Sequence, residues 1–151
     1  PGGRVCGCGR RGCYETYASA SGLVRTVLEM LSELRDPSVL RDIPPSRLTS
    51  KRIAEAAAEK DPIAVKALDF TAEKIAFGII NAIGFSSPEA VFLFGGLAQA
   101  GEALFEPVRK YVDIGVQPIF RGTVKILPSN VPESNAAVLG AAALAWNEFG
   151  S

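Results

Sequence analysis

The sequence predicts a helix-rich α/β domain, and three observations predict it. Ala90-Val91-Phe92-Leu93-Phe94 is an unbroken apolar run between Pro88 and Gly95-Gly96, the pattern of a parallel strand covered on both faces. Thr123-Val124-Lys125-Ile126-Leu127 alternates polar and apolar before Pro128, and a helical stretch at about 101–112 separates the two, so the unit reads as a right-handed βαβ crossover. Upstream of these strands, apolar residues recur almost throughout at steps of three and four.

Taken in order, residues 1–13 form a Gly- and Arg-rich loop. Tyr14, Tyr17, Leu23, Val27, Met30, Leu31 and Leu34 then mark one face of a helix over 14–34, which should stop before Asp36-Pro37. Residues 36–48, with Pro37, Pro44 and Pro45, read as a loop. Thr49 is placed to cap a short Ala-rich helix through about Lys60. Asp61-Pro62 is a cap followed by proline at the first helical position. Ile63, Ala67, Phe70, Ile75, Ile79 and Ile83 carry the helix it opens to about Phe85, with Gly78 and Gly84 read as places where another backbone packs close. Phe77, Phe85, Phe92 and Phe94 read as core and Trp146 as packing. Ser134, within Glu133-Ser134-Asn135, reads as the cap of a last helix to about Trp146. Two strands make a poor sheet alone, and with Pro1 where a natural chain starts with Met, the sequence reads as a piece of a longer protein.

Bulk properties exclude several classes. Sixteen basic and sixteen acidic residues cancel, which gives no electrostatic reason for a nucleic-acid or membrane partner. No apolar run approaches the roughly 20 residues of a spanning helix, and no signal peptide opens the chain. Three cysteines, an odd number, argue against a disulfide scaffold and for a reducing, cytoplasmic setting.

Those cysteines are the sharpest local feature. They crowd into Cys6-Gly7-Cys8-Gly9-Arg10-Arg11-Gly12-Cys13-Tyr14-Glu15. Three readings stand: free thiols, a Cys6–Cys13 or Cys8–Cys13 disulfide that leaves one thiol, or a metal site. Soft thiolates in a sulfur-rich loop favour structural zinc, which takes four ligands; the chain has no histidine to complete them. Arg4, Arg10 and Arg11 lie near enough in sequence to offset thiolate charge, or are simply solvated. Glu15 is either a first-turn acid favoured by the helix dipole or a carboxylate placed to accept from two adjacent hydroxyls. Gly95-Gly96, at a strand end, is either a plain turn or a place where phosphate approaches the backbone beside a helix N-terminus; that turn carries neither a Walker A pattern nor G-x-G-x-x-G.

The motif Cys-x-Cys-Gly-x-x-Gly-Cys-x-Glu, followed by a helix with the small residues Ala18, Ser19 and Ser21, resembles the signature of the ROK family of bacterial sugar kinases and sugar-responsive repressors. Weaker agreement extends through the long helix and the Gly-Gly turn to Leu139-Gly140-Ala141-Ala142-Ala143. The resemblance implies the C-terminal portion of an actin-like ATPase (ribonuclease H-like) domain, spanning 1–151 as a single unit with a zinc loop at 1–15 and lacking the N-terminal part. It implies Cys6, Cys8 and Cys13 as zinc ligands, with a histidine upstream as the fourth. It implies Glu15 as a contact to sugar hydroxyls and Gly95 and Gly96 as a nucleotide-binding turn.

The same resemblance places the catalytic aspartate, the first phosphate loop and Mg²⁺ binding outside this chain, so no catalytic residue is assigned. The expected function is part of an ATP-dependent hexose kinase of the glucokinase kind, inactive alone, binding hexose and ATP and assembling as a homo-oligomer through residues 36–48 and the 14–34 helix. The alternative is the sugar-sensing part of a repressor.

Overall fold

The computed structural model describes residues 2–131 and 136–149. Residues 14–34 split into two elements. A single 3-10 turn, Tyr14–Thr16, comes first, and helix α1 runs Ala20–Glu33. The break follows from Ser19, whose extended backbone and side-chain Oγ, accepting from Gly22 N at 3.0 Å, cap α1 and stop it from extending back to the cysteines. Leu34 turns extended and ends α1, ahead of Asp36-Pro37, where proline would in any case keep its predecessor out of the helical region. The loop that follows contains two 3-10 turns, Val39–Asp42 and Pro45–Arg47.

Helix α2, Ser50–Ala58, starts at Thr49, whose hydroxyl accepts from Arg52 N. Helix α3, Pro62–Ser86, spans 25 residues and starts at Asp61. Both starts agree with the sequence expectation. Asp61 is buried, and its carboxylate accepts four bonds: Ile63 N and Ala64 N at 3.0 Å, Ser38 Oγ at 3.0 Å and Val39 N at 2.8 Å. One side chain thus starts α3 and pins the preceding loop to it. Asp61→Ala is expected to cost about 3 kcal/mol in equilibrium denaturation, since four donors lose a charged acceptor where water has little access. A loss below about 1 kcal/mol would place it among ordinary surface caps.

Helix α3 is the centre of the packing and touches α1, α2 and helix α4, Glu102–Gly115. Ala64, Ala67, Ala72 and Ala76 let the neighbours approach, while Leu23 and Val27 of α1, Ile53 of α2, Ile75, Ile79 and Ile83 of α3, and Leu104, Phe105 and Val108 of α4 fill the core. Strand β1, Ala90–Leu93, pairs in parallel with strand β2, Lys125–Pro128, in the register Val91↔Ile126, with α4 as the crossover. Among the described residues these two strands are the whole sheet. Helix α5, Ala136–Phe149, closes the described chain. The expected Ser134 cap lies outside the described residues.

Five aromatic expectations are overturned. Phe77, Phe85, Phe92, Phe94 and Trp146 are all exposed, Phe85 by 95 % and Trp146 by 78 %. On α3 the buried stripe is Ile75, Ile79 and Ile83; Phe77 and Phe85 lie two residues off it, on the opposite face. In β1, Phe92 alternates away from the half-buried Val91 and Leu93. The strand is therefore covered on one face, not two. The glycines of α3 also differ from expectation. A Cβ on Gly78 would meet the hydroxyl of Tyr14 at 2.5 Å, a side chain and not a backbone, and Gly84 has nothing within 4 Å.

Candidate metal centre and its neighbouring carboxylate

The cysteine loop is a tight hairpin. Val5 and Arg11 form an isolated antiparallel bridge. Cys6 N donates to Arg10 O at 2.9 Å, Gly9 N to Cys6 O at 3.0 Å and Gly12 N to Arg4 O at 2.9 Å. Gly9 and Gly12 take φ of +84° and +76°, angles that a side chain would strain. The result brings the sulfurs of Cys6, Cys8 and Cys13 within 4.8 Å of one another, with Cys8 Sγ and Cys13 Sγ 3.6 Å apart. All three are free thiols. That separation is far from the 2.05 Å or so of a disulfide. It does suit tetrahedral zinc: sulfurs about 2.3 Å from the metal sit about 3.8 Å from each other. The donor set therefore fits three corners of a sulfur-rich metal site.

The thiols share protons unequally. Hydrogen bonding to the Arg10 backbone, then to Cys6 and Cys13, lowers the Cys8 thiol, while the hydrogen bonds from Cys8 and Cys6 push Cys13 up to about 11.

Cys13 leads directly into the Tyr14–Thr16 turn. Its carbonyl accepts from Thr16 N at 3.0 Å and Thr16 Oγ1 at 2.6 Å. Tyr14 Oη donates to Ile75 O at 3.1 Å, which seats the turn on α3 beside Gly78; burial raises this phenol above its ordinary range. Glu15 is exposed, and its Oε1 accepts from Ser19 Oγ and Ser21 Oγ, both at 3.3 Å. Ser19 therefore both caps α1 and steadies Glu15. Arg10 and Arg11 are exposed, but Arg4 is not placed against the thiolates: its guanidinium pairs with Glu29 on α1 and lies 4.6 Å from the Tyr17 ring. Sequence proximity suggested charge offset; the signal for its actual position, Glu29 at the middle of α1, was present but carried no motif.

Gly95 and Gly96 lie elsewhere, where β1 ends. Gly95 has φ +95° and its carbonyl accepts from Ala98 N at 2.9 Å. A cavity of about 150 Å³ opens here, lined by Phe94, Gly95, Ala98, Gln99, Pro128 and Ser129 among others. The helix expected from about residue 101 is α4, so its N-terminus stands off from this turn. A 3-10 turn, Ala98–Ala100, and Gly101 intervene before α4 begins at Glu102, because Gly101, at φ +58°, breaks the path between the two.

A parallel β-α-β pair under a helical layer, with a Cys₃ loop leading into a serine-braced glutamate, makes this a helix-rich α/β protein with a candidate metal centre. Residues 1–148 match the ROK family, and the chain belongs to it. It is 32 % identical over 151 residues to the glucokinase of Thermotoga maritima, covering 99 % of this chain and 47 % of that one. The fold is similar to that of a ROK family glucokinase from Streptomyces griseus in complex with glucose and AMPPNP (TM-score 0.77, 29 % identity, 94 % of this chain and 47 % of that one). It is also similar to that of a ROK family transcriptional regulator, a homolog of the Escherichia coli MLC protein (TM-score 0.80, 26 % identity, 95 % of this chain and 35 % of that one). The chain thus spans about half, or less, of the length of the proteins it matches. No helix among the described residues is long and apolar enough to cross a membrane.

Proposed function

We propose that this chain is the C-terminal part of an ATP-dependent hexose kinase, with glucose the leading substrate. The observation that carries the reading is local: three clustered thiols stand two residues from a braced carboxylate. Cys6, Cys8 and Cys13 would hold a structural zinc with a fourth ligand from outside the chain. The metal would supply rigidity and no chemistry. Glu15 would accept from two neighbouring sugar hydroxyls, and the Gly95-Gly96 turn would meet the nucleotide. Identity of 32 % to a glucokinase across nearly the whole chain supports the kinase reading.

On this reading the general base for phosphoryl transfer and the Mg²⁺ site come from the remainder of the protein. The isolated 151 residues are therefore expected to release no glucose phosphate from ATP and glucose, while the protein that contains them does so; turnover by the isolated chain would overturn the assignment. The sugar-sensing reading has its own support in the regulator of like fold. The same assay separates the two, since a sensor binds hexose without consuming ATP.

A further inference from the structure

We infer that Arg4 is a positioning residue: it fixes the Glu15 turn on α1 independently of any metal. The inference rests on the reading of Glu15 as a hexose contact. A guanidinium has five N–H donors in a rigid fork, and every one of them is used. Nε donates to Glu29 Oε2 at 3.1 Å. Nη1 donates to Thr16 O at 2.8 Å and Gly22 O at 3.3 Å. Nη2 donates to Thr26 Oγ1 at 2.9 Å and to Glu29 Oε2. The side chain is only 8 % exposed, and its guanidinium carbon is 4.6 Å from the Tyr17 ring centroid and 5.9 Å from that of Phe70.

Those partners define what Arg4 controls. Thr16 O is the carbonyl at the end of the turn that carries Glu15, and Gly22 O and Thr26 lie on the first two turns of α1. The main chain of Arg4 ties in the other side of the loop, for its N–H donates to Tyr17 Oη at 2.8 Å and its carbonyl accepts from Gly12 N. Glu29 is braced in turn by Arg25, whose Nη1 donates to Val5 O at 2.9 Å. The guanidinium therefore joins the Glu15 turn to α1, while the hairpin is tied in beside it through the Arg4 main chain and Arg25. None of these contacts uses a cysteine sulfur. A metal would order Cys6, Cys8 and Cys13 relative to each other; Arg4 orders the turn relative to the helix whose Ser19 and Ser21 brace Glu15. Lysine, with three donors on a point charge, cannot reproduce the fork.

The test uses the full-length protein and compares Arg4→Met, Arg4→Lys and Glu29→Gln with wild type. Zinc content by mass spectrometry is expected to stay at the wild-type value, and the KM for ATP within about twofold, while the KM for glucose rises about 10-fold in both Arg4 variants, the scale of lost supporting contacts. Glu29→Gln, the milder variant should Arg4→Met fail to fold, is expected to raise it about threefold. A glucose KM unchanged in all three, or glucose and ATP constants rising together, overturns the inference.

A second readout needs no activity. In the zinc-chelated protein, the amides of Thr16 and Tyr17 should resist hydrogen exchange in wild type and lose that protection in Arg4→Met. Equal protection in the two proteins overturns the role of Arg4 even where hexose turnover proves absent. Absent wild-type turnover with the protection difference intact instead removes only the kinase reading.

Discussion

Cys8→Ser is expected to take the bound zinc from one per chain to none while leaving most of the fold standing. Cys8 is the exposed member of the cluster and sits 3.6 Å from Cys13, so its loss leaves two sulfurs, too few for a closed thiolate site. In small zinc domains the metal supplies on the order of 10–16 kcal/mol of folding free energy and its removal unfolds the chain. Here the arrangement differs. The buried hydrophobic core begins at Leu23 and contains no residue of the cysteine loop, and the loop is held by Arg4 and Tyr14 through contacts that do not involve sulfur. Loss of metal should therefore lower the melting temperature by only a few degrees, corresponding to about 1 kcal/mol. Zinc content and a thermal scan on the same sample check both halves. A zinc-free wild type that folds normally would sink the metal assignment; unfolding of Cys8→Ser would sink the claim that the core is independent of it. Because each thiol must lose its proton to bind, and hydrogen bonds from Cys8 and Cys6 push Cys13 up to about 11, capture should weaken steadily as pH falls.

How far the sequence foretold this structure depends on how local each determinant is. Thr49 and Asp61-Pro62 were legible because a cap is decided by a side chain and the amides two and three residues on. The thiol cluster was legible for the same reason, since glycines within eight residues set its turns. The exposed phenylalanines were not. Their spacing says that a face is apolar, and says nothing about which surface covers it. Phe85 and Phe92 are core-type residues without a covering layer among the described residues. Arg4 failed in the opposite direction: neighbouring thiols in sequence suggested one partner, while the partners it takes lie 12 to 25 residues away. Gly78 was read as the close approach of a backbone, but the visitor is the Tyr14 ring from a turn some sixty residues upstream, which no local pattern encodes.

Glu15→Gln is the sharpest test of what the loop is for. The carboxylate is exposed and takes part in no ion pair among the described residues, so its charge does little for folding. Both serine bonds go to Oε1, which orients the group and leaves Oε2 toward solvent chemistry. Glutamine keeps the shape and one acceptor oxygen but turns the other position into a donor. Two charge-assisted hydrogen bonds to adjacent hydroxyls would be lost or reversed, about 3 kcal/mol together, or roughly 100-fold in hexose affinity. Calorimetric titration of glucose into the full-length protein reads this directly, whether or not it turns over ATP, so the measurement serves the kinase and the sensor readings alike. Zinc content and melting temperature should not move. Ser21→Ala, which removes one brace and keeps the charge and the Ser19 brace, should cost only about threefold, because it touches the orientation of the carboxylate and not its bonds to hexose. If Glu15→Gln binds glucose within threefold of wild type, Glu15 is a first-turn acid and nothing more. The zinc loop would then be a structural clasp with no sugar at its end.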